Sequence, residues 1–307
     1  MISVVIPVYN EQESLEGFYK ELVRELRKLS EKYEIIFVDD GSFDASLTIL
    51  QKIAKQDKTV RIFSFRKNHG KAEALSFGFQ KANGAYVITL DADLQDKPSE
   101  IAKILDTLRK GFDVVCGWRK ERKDSGKKIL SSKLFNFLAN TFWRLKLHDY
   151  NCGLKGYTKD AAKLLHLYGG MHRFIPALAF QQGFIVTEIP VEHDIRRFGK
   201  SKYGFSKIFK DIPDIFTMLF LTKYGNRPLH LFGFVGGILT LVGIVIFLYL
   251  SIIWFGGASI GRRPLFFVSI LLIISGLQLS FTGFLADLIL NVSQKEESNF
   301  SLRYSSD

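Results

Sequence analysis

The chain has 307 residues, 47% of them hydrophobic and 24% charged, with a formal net charge of +11. That length fits one large domain or two modest ones, and the basic balance suits an anionic partner: nucleic acid, anionic lipid or a phosphorylated substrate. Two cysteines, Cys116 and Cys152, do not make a disulfide framework, so reduced thiols are expected.

The opening "MISVVIPVYNEQ" has no basic stretch and an early Pro7, so it reads as a first strand and not a signal peptide. A helical pattern from Ser14 to Ser30 follows, then the strand "YEIIFVD" and a helix from Asp44 to about Gln56. "VRIFSF", "AYVITL" and "DVVCGW" recur at similar spacing with helices between them. Near-continuous apolar strands alternating with helices predict a doubly wound α/β domain with both faces of its sheet covered. "RKERKDSGKK" reads as a charged loop and "GFIVTEIPVEH" as one more strand. In the segment beyond Arg196, Phe205, Ile208, Phe209, Ile212, Ile215 and Phe216 recur at helical spacing among lysines. This is the pattern of a basic amphipathic helix on a membrane surface.

No Asp, Glu, Lys or Arg occurs from Leu229 to Gly261 or from Pro264 to Ala286. Each run exceeds the ~20 residues that span a hydrocarbon core, so a transmembrane hairpin is expected over 229–290, with spans near 229–256 and 264–288. Eight Lys or Arg lie between Arg196 and Arg227, against Arg262 and Arg263 in the connecting loop. The positive-inside rule then puts the α/β domain in the cytoplasm, on the inner membrane. The expected layout is a catalytic domain over 1–203, juxtamembrane helices over 204–228, the hairpin, and a cytoplasmic tail over 291–307.

No G-x-G-x-x-G follows the first strand and no phosphate-binding G-x-x-x-x-G-K-[ST] occurs, which argues against a dinucleotide oxidoreductase and a P-loop NTPase. The strands end in acids instead: "PVYNE", "VDDGS" and "LDADLQD". Ligands of open α/β sheets bind beyond the carboxyl ends of the strands, so Glu11, Asp39, Asp40, Asp91 and Asp93 should meet in one crevice. Crowded carboxylates repel one another, and a divalent Mg²⁺ or Mn²⁺ shared with a substrate phosphate relieves the repulsion. Asp44 and Asp96 read as turn or helix-cap residues. No RNA or DNA motif accompanies the basic charge, so nucleic acid is not an expected partner.

"PVYNE", "VDDGSFD", "NHGKAEAL" and "LDADLQD", in this order, resemble the inverting family 2 glycosyltransferases with the GT-A fold. The resemblance is to the polyprenyl-phosphate group, that of dolichol-phosphate mannose synthase and bactoprenol glucosyltransferases. It implies a nucleotide-diphosphate sugar donor (UDP or GDP), a polyprenyl phosphate acceptor, a divalent metal, and a homo-oligomer such as a tetramer. Pro7, Tyr9 and Glu11 would line the nucleotide pocket, and Asp39 would accept from the base. Lys71 would lie near the nucleotide, its alternative being a solvated first-turn lysine. Asp91 and Ala92 would touch the nucleoside; Asp93 and Gln95 would bind the metal, with Asp91 beside them.

Asp149 in "HDYNCGLKGY" matches an Asp that faces the reacting centre. It would act as a base, orient the acceptor or cap a helix, with His148 as an alternative. Arg119, Arg122, Lys127, Lys128, Ser131 and Ser132 are candidates for phosphate recognition. So are Arg196, Arg197, Lys200, Ser201, Lys202 and Tyr203; anionic headgroups would suit the same cations. Two rival readings stand. A processive polysaccharide synthase would typically carry Q-x-x-R-W, which is absent here. A non-catalytic membrane subunit would not need the acidic motifs.

Overall fold

The computed structural model describes residues 1–120, 136, 139–143, 145–194, 217, 220, 224–225, 227–257, 259–260 and 263–293. The chain forms two compact units, one within Met1–Phe216 and one within Thr217–Phe300.

The first unit is built on seven strands: β1 (Ile2–Val8), β2 (Tyr33–Asp39), β3 (Val60–Ser64), β4 (Tyr86–Thr89), β5 (Val114–Arg119), β6 (Lys155–Thr158) and β7 (Val186–Val191). They form one sheet in the order β3-β2-β1-β4-β6-β5-β7. The β1/β2, β2/β3, β1/β4 and β5/β7 pairs are parallel, and β6 runs antiparallel to both β4 and β5. The sheet is therefore mixed, as expected of the GT-A fold, with β6 as its reversed strand. "KGYT" is too short, with too little apolar alternation, to read as a strand from sequence.

Helices α1 (Leu15–Lys28), α2 (Ser46–Gln56), α3 (Lys71–Lys81), α4 (Ile101–Leu108), α5 (Lys159–Leu164) and α6 (Ile175–Gln181) belong to the same unit. Helix α1 buries Leu15, Phe18, Leu22 and Leu26, whose spacing of three and four keeps them on one face. They join Val4, Ile6, Ile35, Phe37 and Ile88 in the core. Full burial of such side chains stabilises by about 1.5–3 kcal/mol each. On α3, Gly78 lies against Val5 and Val38 of the sheet, where a Cβ has no room.

Two consequences of the topology position the site. The chain winds from β1 to β2 and β3 on one side, then returns to place β4 on the other side of β1. That reversal opens a crevice beyond the carboxyl ends of β1 and β4. The inverted β6 brings the segment before it, from Asp149 onward, to the same end of the sheet.

The second unit is a pair of long helices, α7 (Pro228–Phe255) and α8 (Pro264–Ser293). Small residues let their backbones meet: a Cβ on Gly276 would lie 2.5 Å from the Gly236 carbonyl, and Gly243 and Gly283 press against Ile273 and Phe232. The outward faces carry Phe234, Leu241, Ile252, Phe267, Phe281 and Ile289, all exposed. The mean hydropathy of an 18-residue stretch is 2.6 within Pro228–Phe255 and 2.1 within Pro264–Leu290. At 1.5 Å per residue such helices run ~40 Å, longer than a ~30 Å hydrocarbon core. Apolar faces this extensive suit lipid, and the unit places the protein at a membrane.

Candidate active site

The loops after β1 and β2 are laced together. Asn10 takes a left-handed conformation, with φ of 53°, and turns the chain at the end of β1. Its N–H donates to Ser42 Oγ at 2.9 Å, and its Oδ1 accepts from the Phe43 N–H at 2.8 Å. The Glu11 N–H donates to Ser46 Oγ and the Gln12 N–H to Asp44 Oδ2. Asp44 also accepts from the Ser46 N–H, as a turn residue should. Pro7 and Tyr9 are half-buried at the end of this strand, Tyr9 meeting Phe43 edge-on at 6.3 Å between ring centroids.

The two aspartates that end β2 divide their work. Asp39 is buried and accepts from the Ser42 N–H at 3.2 Å and Ser64 Oγ at 2.7 Å. Asp40 accepts from the His69 N–H at 2.7 Å and from the Gly70 N–H and Asn68 Nδ2, each at 2.9 Å. Burial pushes the Asp40 carboxyl up, against the pull of those two backbone donors. Asp40 thus anchors the turn that launches α3, and with it Lys71.

Lys71, the first residue of α3, reaches Asp91 with its ammonium 2.5 and 2.8 Å from the two carboxylate oxygens. Burial works against both charges, but each partner's charge outweighs it: the Lys71 pKa is raised and that of Asp91 lowered. Lys71 is therefore the internal counter-ion of Asp91 and not a solvated lysine. Both oxygens of Asp91, expected among the metal ligands, are engaged by it. Ala92 beside Asp91 is buried.

The turn after β4 is held by the chain beyond β7. Leu94 is left-handed, with φ of 60°. The Gln95 N–H donates to Asp93 Oδ1 at 3.2 Å, Gln95 Nε2 to the Asp194 carbonyl at 3.3 Å, and the Asp194 N–H to the Gln95 carbonyl at 2.9 Å. Asp96 pairs with His193 in an isolated bridge. The expectation that Asp96 caps the next helix is corrected. Lys97 stands at the cap position without a side-chain cap, and Asp96 is buried beside Cys152, whose Sγ lies 3.9 Å away. Burial first and the Asp91 charge second raise its pKa to about 7. Gly153 separates these acids: a Cβ there would stand 2.5 Å from Asp96 Oδ2 and 2.7 Å from Asp91 Oδ2.

Asp149 is 2% exposed and forms a two-pronged pair with Arg119 at the end of β5, Nε to Oδ2 at 2.6 Å and Nη2 to Oδ1 at 2.9 Å. Burial opposes the guanidinium charge, but Asp149 more than offsets it and raises the Arg119 pKa. Asp149 also accepts from the Asn151 N–H, so it meets a cation and a local N–H. His148 stacks on Trp118 at 4.2 Å and pairs with Glu188, on the other side of that segment.

Glu11, Asp39, Lys71, Asp91, Ala92, Asp93, Gln95, Arg119 and Asp149 thus all follow or adjoin the carboxyl ends of β1, β2, β4 and β5. Arg122, Lys127, Lys128, Ser131, Ser132, Arg196, Arg197, Lys200, Ser201, Lys202 and Tyr203 lie outside the described residues. So does most of the juxtamembrane stretch. Sequence reading missed Lys155, buried on β6, and His172 in the short 3₁₀ turn Met171–Arg173. A lysine inside a strand and a histidine in a loop carry no spacing signal of their own.

Among the described residues no three His, Cys, Asp or Glu side chains converge as a metal cage. The donor set fits a different arrangement. Asp93 and the amide oxygen of Gln95 are hard oxygens on one turn, too few to hold a cation alone. Mg²⁺ or Mn²⁺ completed by water and a substrate diphosphate needs no more than that.

Comparison with known proteins places this architecture. Residues 3–165 match the Glycosyl transferase family 2 sequence profile. Dodecaprenyl-phosphate galacturonate synthase of Rhizobium johnstonii is 35% identical over 306 residues, covering 97% of this chain and 90% of that protein. Undecaprenyl-phosphate 4-deoxy-4-formamido-L-arabinose transferase of Proteus mirabilis is 35% identical over 296 residues, covering 94% and 88%. Among solved structures, mannosyl-3-phosphoglycerate synthase from Rubrobacter xylanophilus superposes with a TM-score of 0.58 at 15% identity, over 71% of this chain and 74% of that one. Glucosyl-3-phosphoglycerate synthase from Mycobacterium tuberculosis, crystallised with Mn²⁺, uridine diphosphate and phosphoglyceric acid, gives 0.54 at 18% identity, over 73% and 78%. These neighbours share the GT-A fold. With a profile match over more than half its length and relatives aligned almost end to end, the chain belongs to glycosyl transferase family 2.

Proposed function

We propose that this glycosyltransferase moves a sugar from a nucleotide diphosphate to polyprenyl phosphate at the cytoplasmic face of the inner membrane, with inversion at the anomeric carbon. The juxtaposition of the Asp91–Gln95 turn with the buried Arg119–Asp149 pair carries the reading, supported by the polyprenyl-phosphate activities of the relatives.

The loops clasped around Asn10 and Ser42 bring Tyr9, Glu11 and Asp39 to the mouth where a nucleoside enters. Asp93 and Gln95 would hold the divalent cation against the donor diphosphate; Mg²⁺ or Mn²⁺ there supplies Lewis-acid stabilisation of the leaving group. Lys71 keeps Asp91 ionised and fixed beside them. Arg119 is oriented by Asp149 so that Nη1, which makes no hydrogen bond among the described residues, is left for a phosphate oxygen. A polyprenyl phosphate is a monoester whose second pKa is about 6, so it arrives as a nucleophile without a protein base. Asp149 therefore serves as an orienting carboxylate. One phosphate oxygen forms the bond to the anomeric carbon as the bond to the diphosphate oxygen breaks, and the nucleoside diphosphate leaves with the electron pair. The basic residues of 196–227 would face the same headgroup layer. Copies of the chain would associate through the membrane unit, a tetramer being the form the family resemblance implies.

The test uses a radiolabelled sugar nucleotide, polyprenyl phosphate and the full chain in lipid. Label confined to one sugar per lipid supports the reading, and label growing into a polymer supports a processive synthase instead. Asp93→Ala should lower transfer by roughly 10²–10³-fold while the fold remains, because charge stabilisation of the leaving group is lost. Full activity of that variant would refute the assignment of the metal to this turn.

A further inference from the structure

Helix α8 carries two seams. One is filled by α7: Ser269 and Ile273 meet Gly243, Gly276 and Ser280 meet Gly236, and Gly283 meets Phe232. At about 100° per residue, Val268, Leu271, Ser275, Gln278, Thr282 and Leu285 fall on the opposite face. Their alternating spacing of three and four is that of the a and d positions of a heptad. Val268 is 42%, Leu271 64% and Leu285 56% exposed; Gln278 and Thr282 are exposed as well, and Ser275 is half-buried.

Gln278 is the misfit on this outer seam. It stands near the midpoint of Pro264–Ser293, ~20 Å from either end, too deep for so short a side chain to reach water or headgroups. Hydroxyls in the spans return to their own backbone, Thr240 to the Gly236 carbonyl, Ser280 to Gly276 and Thr282 to Gln278. The Gln278 side-chain amide makes no hydrogen bond among the described residues. It carries two donors and an acceptor, and leaving them bare in hydrocarbon is costly.

We infer that the outer seam of α8 is an interface between copies of this chain, with the Gln278 amides of neighbouring copies hydrogen-bonded to one another at its centre. Topology selects the occupant. Copies inserted the same way round meet about an axis along the membrane normal, so their α8 helices run parallel and each residue faces itself at the same depth. A carboxamide both donates and accepts, so it is complementary to itself. A single polar residue among apolar a and d positions fixes the register, with Leu271 and Leu285 packing one heptad to either side. The inference rests on the membrane placement and not on the chemistry of transfer; it gives a face to the association proposed above.

The test uses the full chain reconstituted in liposomes. Single cysteines are introduced on α8, Cys116 and Cys152 being buried in the other unit. Leu271→Cys, Gln278→Cys and Leu285→Cys should cross-link between copies under mild oxidation far more than Leu277→Cys and Phe284→Cys, which are exposed on an adjoining face. Energy transfer between labelled copies, titrated with lipid, should show Gln278→Leu dissociating at roughly 3–30-fold higher protein density than wild type, with Gln278→Asn retaining most of the association. Cross-linking that is equal at all five positions, or strongest at Leu277→Cys and Phe284→Cys, overturns the seam. Association unmoved by Gln278→Leu, or wild-type copies that stay monomeric at every density, overturns it too. Release of the chain from the liposomes by alkaline carbonate would instead refute the membrane placement, and the seam with it.

Discussion

At the scale of residues, the site is a set of charges that answer one another before any substrate arrives. Among the described residues Arg119 and Asp149 are the most enclosed ion pair, with side chains 10% and 2% exposed. Breaking such a pair leaves an uncompensated charge in the interior. Arg119→Met should therefore destabilise the full chain by about 3–5 kcal/mol in a denaturant titration in detergent. Adding Asp149→Leu should recover much of that loss, and a double variant no better than the single would contradict the pairing. Asp96 gives the pH dependence. Its pKa is raised from 3.8 to about 7, so between those values the native protein binds more protons than the unfolded chain. Stability must then fall as pH rises through that window. Asp96→Asn should gain thermal stability over wild type as pH climbs from about 4 to about 7, and the gain should level off above. A difference constant with pH would show that Asp96 does not carry the shift. The acids were legible in sequence because they end apolar strands. The surroundings of Asp96 were not, because Cys152, Gly153 and His193 reach it from far along the chain.

At the scale of elements, the parallel strands and the long apolar helices were legible because each writes its own period into the sequence. The inverted β6 was not: four residues, "KGYT", carry too little pattern to mark a strand or its direction. That strand is what turns Asp149, Gly153 and Lys155 toward the crevice. For α7 and α8 the sequence shows length and hydropathy, while the structure adds which glycines meet. A leucine at Gly276 would drive its side chain into Gly236 and Thr240, whereas Gly237 has open space. Gly276→Leu should lower the midpoint of thermal unfolding in detergent by several degrees, and Gly237→Leu should leave it nearly unchanged. Equal effects from both would contradict the packing of the pair.

At the scale of the whole molecule, one chain combines a crevice suited to a nucleotide diphosphate with a helix pair suited to lipid. A polyprenyl phosphate unites those requirements, since its phosphate reacts in water and its chain remains in hydrocarbon. The identity of the sugar was not legible in sequence, because it depends on which buried groups face the pocket. The direct measurement is mass analysis of undecaprenyl phosphate after incubation with the purified full chain, Mn²⁺ and a panel of sugar nucleotides. Predicted is a lipid heavier by one sugar residue, formed with at least one donor and lost when the metal is chelated. Unmodified lipid with every donor, despite sugar-nucleotide binding, would contradict transfer to polyprenyl phosphate.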